Sequence, residues 1–231
     1  MLKISTHKTI LVRILKEIYS DPVLRSALGF KGGTAAMLFY NLPRFSVDLD
    51  FDLLDLDKKN LVFDKLKEIL LEFGKLDEAI GKKNTLFFLL NYEKGIRNLK
   101  LEVSKRTSHA FYEVKNYLGI SILVMKKEDM AAGKLSALLT RKKFAARDMF
   151  DLWYFLKNNW TINEDILREK TGLSLKKAIE KAEDQILDVK KNQLLSGLGD
   201  LLDLKQRAWV KDKLKEDLLF QLKILKSNIE A

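Results

Sequence analysis

The spacing of apolar residues changes along the chain, and the change falls near residue 125. Before it, segments with apolar residues at the helical spacing of three and four alternate with short runs typical of strands. After it, only the helical spacing is found. The pattern predicts helices at 6–20, 22–28, 34–40, 58–73, 126–141, 145–158, 163–170, 173–192 and 207–228. It predicts strands at 46–54, 85–92, 99–103, 112–117 and 120–125, and an extended segment at 30–31.

This order of elements predicts an α+β fold. We expect a mixed sheet flanked by helices over residues 1–125, followed by a C-terminal helical bundle over 126–231 that packs on this core. The continuous apolar run at 85–92 predicts a strand that is buried on both faces. Asp57 is predicted to cap the helix at 58–73, with Leu61 among the residues that face inward.

The most informative segment is the predicted strand at 46–54, on which Asp48, Asp50 and Asp52 alternate with apolar residues. Alternate strand positions share a face, so the three carboxylates point the same way. Two carboxylates about 4 Å apart repel each other by about 4 kcal/mol at an effective dielectric constant of about 20. A divalent cation held by Asp48 and Asp50 would offset this repulsion, whereas a solvated strand face is the simpler alternative. Asp52 is expected to be solvated or to lie behind the ligands.

A third acidic residue, Glu102, lies on the polar face of the predicted strand at 99–103. If this strand pairs beside the aspartate strand, Glu102 would complete a set of three carboxylates around a metal ion. Taken by itself, a strand glutamate next to Lys100 is more typical of a cross-strand ion pair.

Gly32 and Gly33 lie between an extended segment and a predicted helix start. Glycines at such a position let the backbone approach a ligand, and the free N–H groups of a helix N-terminus bind phosphate. A tight turn with a purely structural role is the alternative interpretation.

The composition is that of an ordinary globular protein with an excess of positive charge. The 231 residues include no cysteine, which excludes disulfides, thiolate metal sites and cysteine nucleophiles. The formal net charge is +10, and residues 94–106 and 134–147 each include five basic side chains. Such clusters suit a polyphosphate or a nucleic acid, and solvated faces of a lysine-rich protein are the alternative. Neither a signal-like nor a membrane-spanning apolar segment is found, so we expect a cytoplasmic protein without membrane contact.

Three motifs taken together, Gly32-Gly33, Asp48-Leu49-Asp50 and Glu102, resemble the signature of the nucleotidyltransferase superfamily that includes DNA polymerase β. The longer pattern over residues 31–51 resembles the AbiEii/AbiGii-type family of abortive-infection toxins. That family also has a downstream lysine and an Arg-Asp-x-x-Asp-Leu motif, which Lys134 and residues 147–152 match. The resemblance covers residues 5–160, and beyond them only helices are predicted.

The resemblance implies a Mg²⁺-dependent enzyme that transfers a nucleoside monophosphate from an NTP to an acceptor. The first expectation for the acceptor is RNA, at the 3′ end of tRNA, where added nucleotides block aminoacylation. A toxin of this kind has a cognate antitoxin, encoded nearby, as a candidate partner. The alternatives are an acceptor hydroxyl on a small molecule or a protein, and a non-catalytic protein that binds nucleic acid.

The resemblance also implies roles for individual residues. Asp48, Asp50 and Glu102 are the implied metal ligands and catalytic carboxylates, and Glu102 is open as the base for the acceptor hydroxyl as well. Lys134 and Asp148 are the further catalytic residues, Lys134 because it would neutralise phosphate charge. The implied nucleotide-binding residues are Lys31, Gly32, Gly33, Thr34, Arg44, Ser46 and Arg147.

Overall fold

The structure is a computed structural model that describes residues 4–95 and 97–230 and, for Glu230, the backbone alone. The described residues divide into two compact units, one that ends at Met125 and one that begins at Lys126. Packing of the helical part on the sheet domain stays a prediction.

The first unit is built around a seven-stranded mixed sheet with the strand order β3-β4-β5-β2-β1-β7-β6. Its strands are β1 (Leu28–Lys31), β2 (Asp48–Leu53), β3 (Lys75–Lys82), β4 (Thr85–Asn91), β5 (Leu99–Ser104), β6 (Tyr112–Tyr117) and β7 (Ile120–Met125). Its helices are α1 (Ile4–Ser20), α2 (Pro22–Ala27), α3 (Gly32–Tyr40) and α4 (Lys59–Leu71). β2 is parallel to β5 and antiparallel to β1, and this central position makes it the scaffold of the aspartate row.

The alternation on β2 has the expected consequence for burial. Leu49 and Phe51 are completely buried, because their side chains enter the core below the sheet. The aspartates between them therefore lie on the opposite face, and the apolar half of the strand fixes their direction.

The second unit is entirely helical in the described part of the chain, apart from short 3₁₀ turns. Its helices are α5 (Lys127–Thr140), α6 (Ala146–Lys157), α7 (Glu164–Thr171), α8 (Leu175–Leu187), α9 (Leu204–Asp212) and α10 (Leu214–Glu230). α10 packs against α6 and α8, and α5 contacts α6, α7 and α8. The sheet followed by helices confirms the predicted α+β class. None of the helices among the described residues is both long and apolar enough to cross a membrane.

The strand β3 was absent from the sequence prediction. It is an edge strand that pairs only with β4, and most of its residues are exposed. An edge strand of this kind has little apolar surface to bury, so its sequence lacks the pattern that identifies strands. The prediction that 85–92 is buried on both faces was also wrong. Only Leu86, Phe88 and Leu90 of β4 are buried, and the residues between them are partly exposed.

Two helix predictions also need correction. Asp57 does not cap α4: the carboxylate of Asp55 accepts a hydrogen bond from the Asp57 N–H, and a 3₁₀ turn over Leu56–Lys58 precedes the helix. Leu61 is 46% exposed, so the prediction that it faces inward was wrong as well. The single helix predicted at 207–228 is two helices, interrupted at Lys213. The first of them begins earlier than predicted, because Asp203 and Gln206 form a reciprocal capping box.

Candidate active site

The carboxylate face of the sheet brings together residues from two neighbouring strands. In the parallel register of β2 and β5, Asp48 lies opposite Lys100, and Asp50 lies opposite Glu102. The pairing on which the expected carboxylate set depends is therefore present. Asp48, Asp50 and Glu102 share one face of the sheet: the two aspartates are two residues apart on β2, and Glu102 lies opposite Asp50 on β5.

The side chain of Lys100 is a cation in contact with two of these carboxylates. Its Nζ lies 3.3 Å from Oδ2 of Asp48 and 3.0 Å from Oε2 of Glu102. The sequence suggested a cross-strand ion pair for Glu102, but its pair with Lys100 lies along β5, and the cross-strand contact of Lys100 is with Asp48. Burial acts to lower the pKa of Lys100, but the attraction of Asp48, Asp50 and Glu102 outweighs it and raises the pKa. Within residues 4–95 and 97–230, no three acidic or histidine side chains lie close enough together to bind one metal ion.

Asp50 is the least compensated of the three carboxylates. Burial raises its pKa above the ordinary value, and the negative charges of Asp48 and Glu102 add to this effect. Lys100 and Lys31 oppose it without cancelling it. A further positive charge near Asp50 would therefore stabilise its ionised form.

Asp52 differs from its two neighbours, and the expectation that water solvates it was wrong. It is 5% exposed and forms an ion pair with Lys31 of β1. Its other carboxylate oxygen accepts a hydrogen bond of 2.6 Å from the Tyr112 hydroxyl of β6. The protein's own groups thus satisfy Asp52, which lies behind the candidate ligands.

The two glycines of the turn lie so close to predicted site residues that a Cβ at either position would be within 3 Å of their side chains. Gly32 has a φ of +80°, and a Cβ there would lie 2.7 Å from Oδ2 of Asp50. At Gly33 a Cβ would lie 2.5 Å from Nη2 of Arg44 and 2.9 Å from Oγ of Ser46. α3 begins at Gly32, so the turn predicted before the helix is part of its first turn. A side chain at either position would therefore force Asp50, Arg44 or Ser46 to move, and the start of α3 lies close to these residues.

Thr34 and His7 hold the start of β2 in place. The buried hydroxyl of Thr34 donates a hydrogen bond to the carbonyl of Asp48. Nε2 of His7 donates to the carbonyl of Val47 at 2.9 Å, so its Nδ1 accepts the hydrogen bond of 2.6 Å from the Tyr92 hydroxyl. Burial lowers the pKa of His7, which favours this neutral form. These contacts fix the backbone that presents Asp48.

A second polar cluster lies within the helical unit. Nζ of Lys134 on α5 lies 3.1 Å from Oδ1 of Asp148 and 2.7 Å from Oδ2 of Asp151, both on α6. Nε of Arg141 lies 3.1 Å from Oδ2 of Asp148 and forms an ion pair with it. This buried oxygen has no hydrogen-bond partner in the described residues, so the contact with Arg141 is not a hydrogen bond. Arg147 lies next to the cluster in sequence and is partly exposed. The helices thus bring together Lys134 and Asp148, two residues of the motif.

Sequence reasoning missed the cross-strand contacts of Lys100 and Tyr112, and the contact of Arg141 at the end of α5 with Asp148 on α6. A lysine two positions before Glu102 was a signal, because both side chains must share a face of β5. Nothing in the sequence indicated the pairing of Tyr112 with Asp52, which depends on the strand order.

Comparisons with known proteins show the family and the fold of this chain. Residues 13–219 match the family model described as nucleotidyl transferase AbiEii toxin, type IV toxin–antitoxin system. A candidate nucleotidyltransferase from H. pylori has a similar structure, with 21% identity, coverage of 99% of this chain and 96% of that chain, and a TM-score of 0.64. JHP933 from Helicobacter pylori also has a similar structure, with 22% identity, coverage of 100% of this chain and 98% of that chain, and a TM-score of 0.59.

The search among curated proteins gives no match. The two structures share the fold of this chain, and the family match covers most of its length. The family and the enzyme class that the motifs predicted are therefore confirmed. This chain belongs to the AbiEii toxin family, and it is a nucleotidyltransferase of the toxin–antitoxin type.

Proposed function

We propose that the protein uses Mg²⁺ to transfer a nucleoside monophosphate from an NTP to the 3′ end of tRNA. The observation that carries the proposal is the register of β2 and β5, which aligns Asp48, Asp50 and Glu102 on one face of the sheet. The glycine turn at the start of α3 is in direct contact range of Asp50. Carboxylates beside a phosphate-binding helix start are the two parts that nucleotidyl transfer needs.

The donor set fits Mg²⁺. All three side chains offer hard carboxylate oxygens, which Mg²⁺ prefers over nitrogen or sulfur ligands. The raised pKa of Asp50 indicates that the charges already present compensate the site incompletely. Asp48 and Asp50 are the proposed ligands. Glu102 is the third ligand or, with a side chain 35% exposed, the proton acceptor for the incoming hydroxyl.

Bound Mg²⁺ would neutralise the triphosphate and polarise the phosphoryl group under attack. In the transfer, the acceptor hydroxyl oxygen bonds to the α-phosphorus, the bond to the β-phosphate oxygen breaks, and pyrophosphate leaves. The chain's own residues position the reactants. The N–H groups of Gly33 and Thr34 at the start of α3 are the proposed contacts to the triphosphate, together with Ser46 and Arg44. Lys31 and Gly32 complete this proposed nucleotide site.

Lys134, Asp148 and Arg147 are proposed to act from the helical unit. Lys134 is 17% exposed and is held by two buried carboxylates, so its ammonium has a fixed position. A fixed cation needs no reorganisation to stabilise phosphate charge. Asp148 is buried and paired with Lys134, and it is proposed to act in catalysis by holding this ammonium in place. Arg147 is proposed to bind the nucleotide.

The acceptor is proposed from charge. The formal net charge of +10 and the two basic segments suit a polyanion better than a cationic small molecule. tRNA and NTPs occur together in the cytoplasm, where we propose that the reaction takes place. The toxin family implies a cognate antitoxin, and we propose that its gene lies nearby.

The test is label transfer with purified protein, Mg²⁺, total tRNA and each α-³²P-labelled NTP in a separate reaction. Asp48→Asn should reduce labelling by about 10²-fold or more, because it removes a charge that positions the reacting phosphate. Asp57→Asn is the matched control: Asp57 is an exposed aspartate of the same unit outside the carboxylate face. It should label tRNA at the wild-type rate.

The outcomes separate the candidate functions. Absence of labelled tRNA, or equal labelling by Asp48→Asn and the wild type, would contradict the proposal. Label that appears on a protein or a small molecule would retain the enzyme class and replace the acceptor.

A further inference from the structure

Lys100 contacts the proposed metal ligands but has no role in the proposed mechanism. Its ammonium reaches across from β5 to Asp48 on β2 and along its own strand to Glu102. The Lys100 side chain is 28% exposed, and that of Asp48 is 17% exposed. The contact is therefore partly shielded from water, and salt screens it less than a surface pair.

The ammonium competes for the same oxygens as a metal ion. Oδ2 of Asp48 and Oε2 of Glu102 both contact Lys100, and both belong to carboxylates that are proposed to bind the metal. A metal ion that used these two oxygens would lie close to Nζ, which is about one hydrogen-bond length from each, and the two positive charges would repel each other. Metal binding through these oxygens would therefore favour departure of the ammonium.

We propose that Lys100 is an internal counter-cation that holds the carboxylates together before metal binds and that must be displaced by the metal. This inference rests on the proposed role of Asp48 and Asp50 as metal ligands. Lys100 is thus a positioning residue that weakens binding of the free ion, since displacing it breaks two ion pairs. It also stabilises the metal-free protein, because it offsets repulsion within the carboxylate row.

The test measures metal affinity directly, with Mn²⁺ as the probe and calorimetric titration or electron paramagnetic resonance as the readout. Lys100→Met keeps the aliphatic chain and removes the charge, so it should bind Mn²⁺ about tenfold tighter or more, equivalent to about 1.4 kcal/mol. Lys100→Arg keeps the charge and should bind Mn²⁺ within about threefold of the wild type.

Lys65→Met is the matched control. Lys65 pairs with Asp21 at 2.7 Å, and their side chains are 30% and 18% exposed, nearly the values of the Lys100–Asp48 pair. This pair joins α4 to the start of α2 and lies outside the carboxylate face. Lys65→Met should leave Mn²⁺ affinity unchanged. In EDTA, Lys100→Met should unfold at a lower temperature than the wild type, and Mn²⁺ should raise its unfolding temperature more.

Equal or weaker Mn²⁺ binding by Lys100→Met would overturn the inference, and so would Mn²⁺ binding by neither protein. If Lys100→Met does not fold, Lys100→Gln is measured with the same expectations. Label transfer to tRNA distinguishes the two failures. If transfer proceeds while the affinities are equal, the counter-cation role fails and the proposed function stands, whereas absence of transfer by the wild type contradicts the proposed function.

Discussion

Replacing Gly32 by alanine tests the close contact between the glycine turn and the carboxylate face. Two effects add at this position. The residue has a φ of +80°, and a side chain in this left-handed region costs about 1–2 kcal/mol. In addition, the new Cβ would lie 2.7 Å from Oδ2 of Asp50, so the carboxylate must move. Overpacking of this kind costs about 1–3 kcal/mol, which gives a total loss of about 2–5 kcal/mol.

Gly119 supplies a control that isolates the first effect. Its φ is +81°, and nothing lies within 4 Å of the position of its Cβ. Gly119→Ala should therefore lose only about 1–2 kcal/mol and keep full transferase activity. Gly32→Ala should lose more stability and also activity, because it displaces a proposed metal ligand.

Urea unfolding gives the two free energies of unfolding, and label transfer at a temperature where both variants are folded gives the activities. The reasoning would be refuted if Gly32→Ala were no less stable than Gly119→Ala and transferred label at the same rate. That result would mean that Asp50 can move without consequence.

Three further predictions concern charge and burial. Asp50→Asn should raise the free energy of unfolding in EDTA by about 0.5–2 kcal/mol while activity is lost, because it removes a poorly compensated charge; lower stability in urea unfolding would contradict this. Burial lowers the pKa of His7, so the contribution of neutral His7 to the free energy of unfolding should be full above pH 6.5 and fall below it. His7→Gln should flatten this pH dependence when unfolding is measured from pH 5 to 8. Asp151→Asn should cost about 3–5 kcal/mol in urea unfolding, because it breaks the buried pair with Lys134. Asp212→Asn, at an exposed pair, should change stability by less than about 0.5 kcal/mol and serves as its control.

The central strands could be predicted because apolar and polar residues alternate along them. On β2 and β5, apolar residues at every second position fix which side chains enter the core, and therefore which ones form the polar face. The turn at Gly119 likewise defines the hairpin of β6 and β7. Local pattern was sufficient for these elements, because burial of one face determines both conformation and direction.

The remaining features depend on contacts between residues that are distant in sequence. β3 is a charged edge strand, and its strand conformation follows from pairing with β4 and not from its own residues. The sequence left solvation open for Asp52 because its partners come from two other strands: Lys31 forms an ion pair with it, and the Tyr112 hydroxyl donates a hydrogen bond to it. Lys100 could be placed on the face of Glu102 from sequence, but its contact with Asp48 needed the parallel register of β2 and β5.

The central claim is tested most directly by sequencing the 3′ ends of tRNA after incubation with the protein, Mg²⁺ and NTPs. We expect tRNAs extended at the 3′ end by added nucleotides with the wild type, and unextended ends with Asp48→Asn. Unextended ends with the folded wild type, for every NTP supplied, would contradict it.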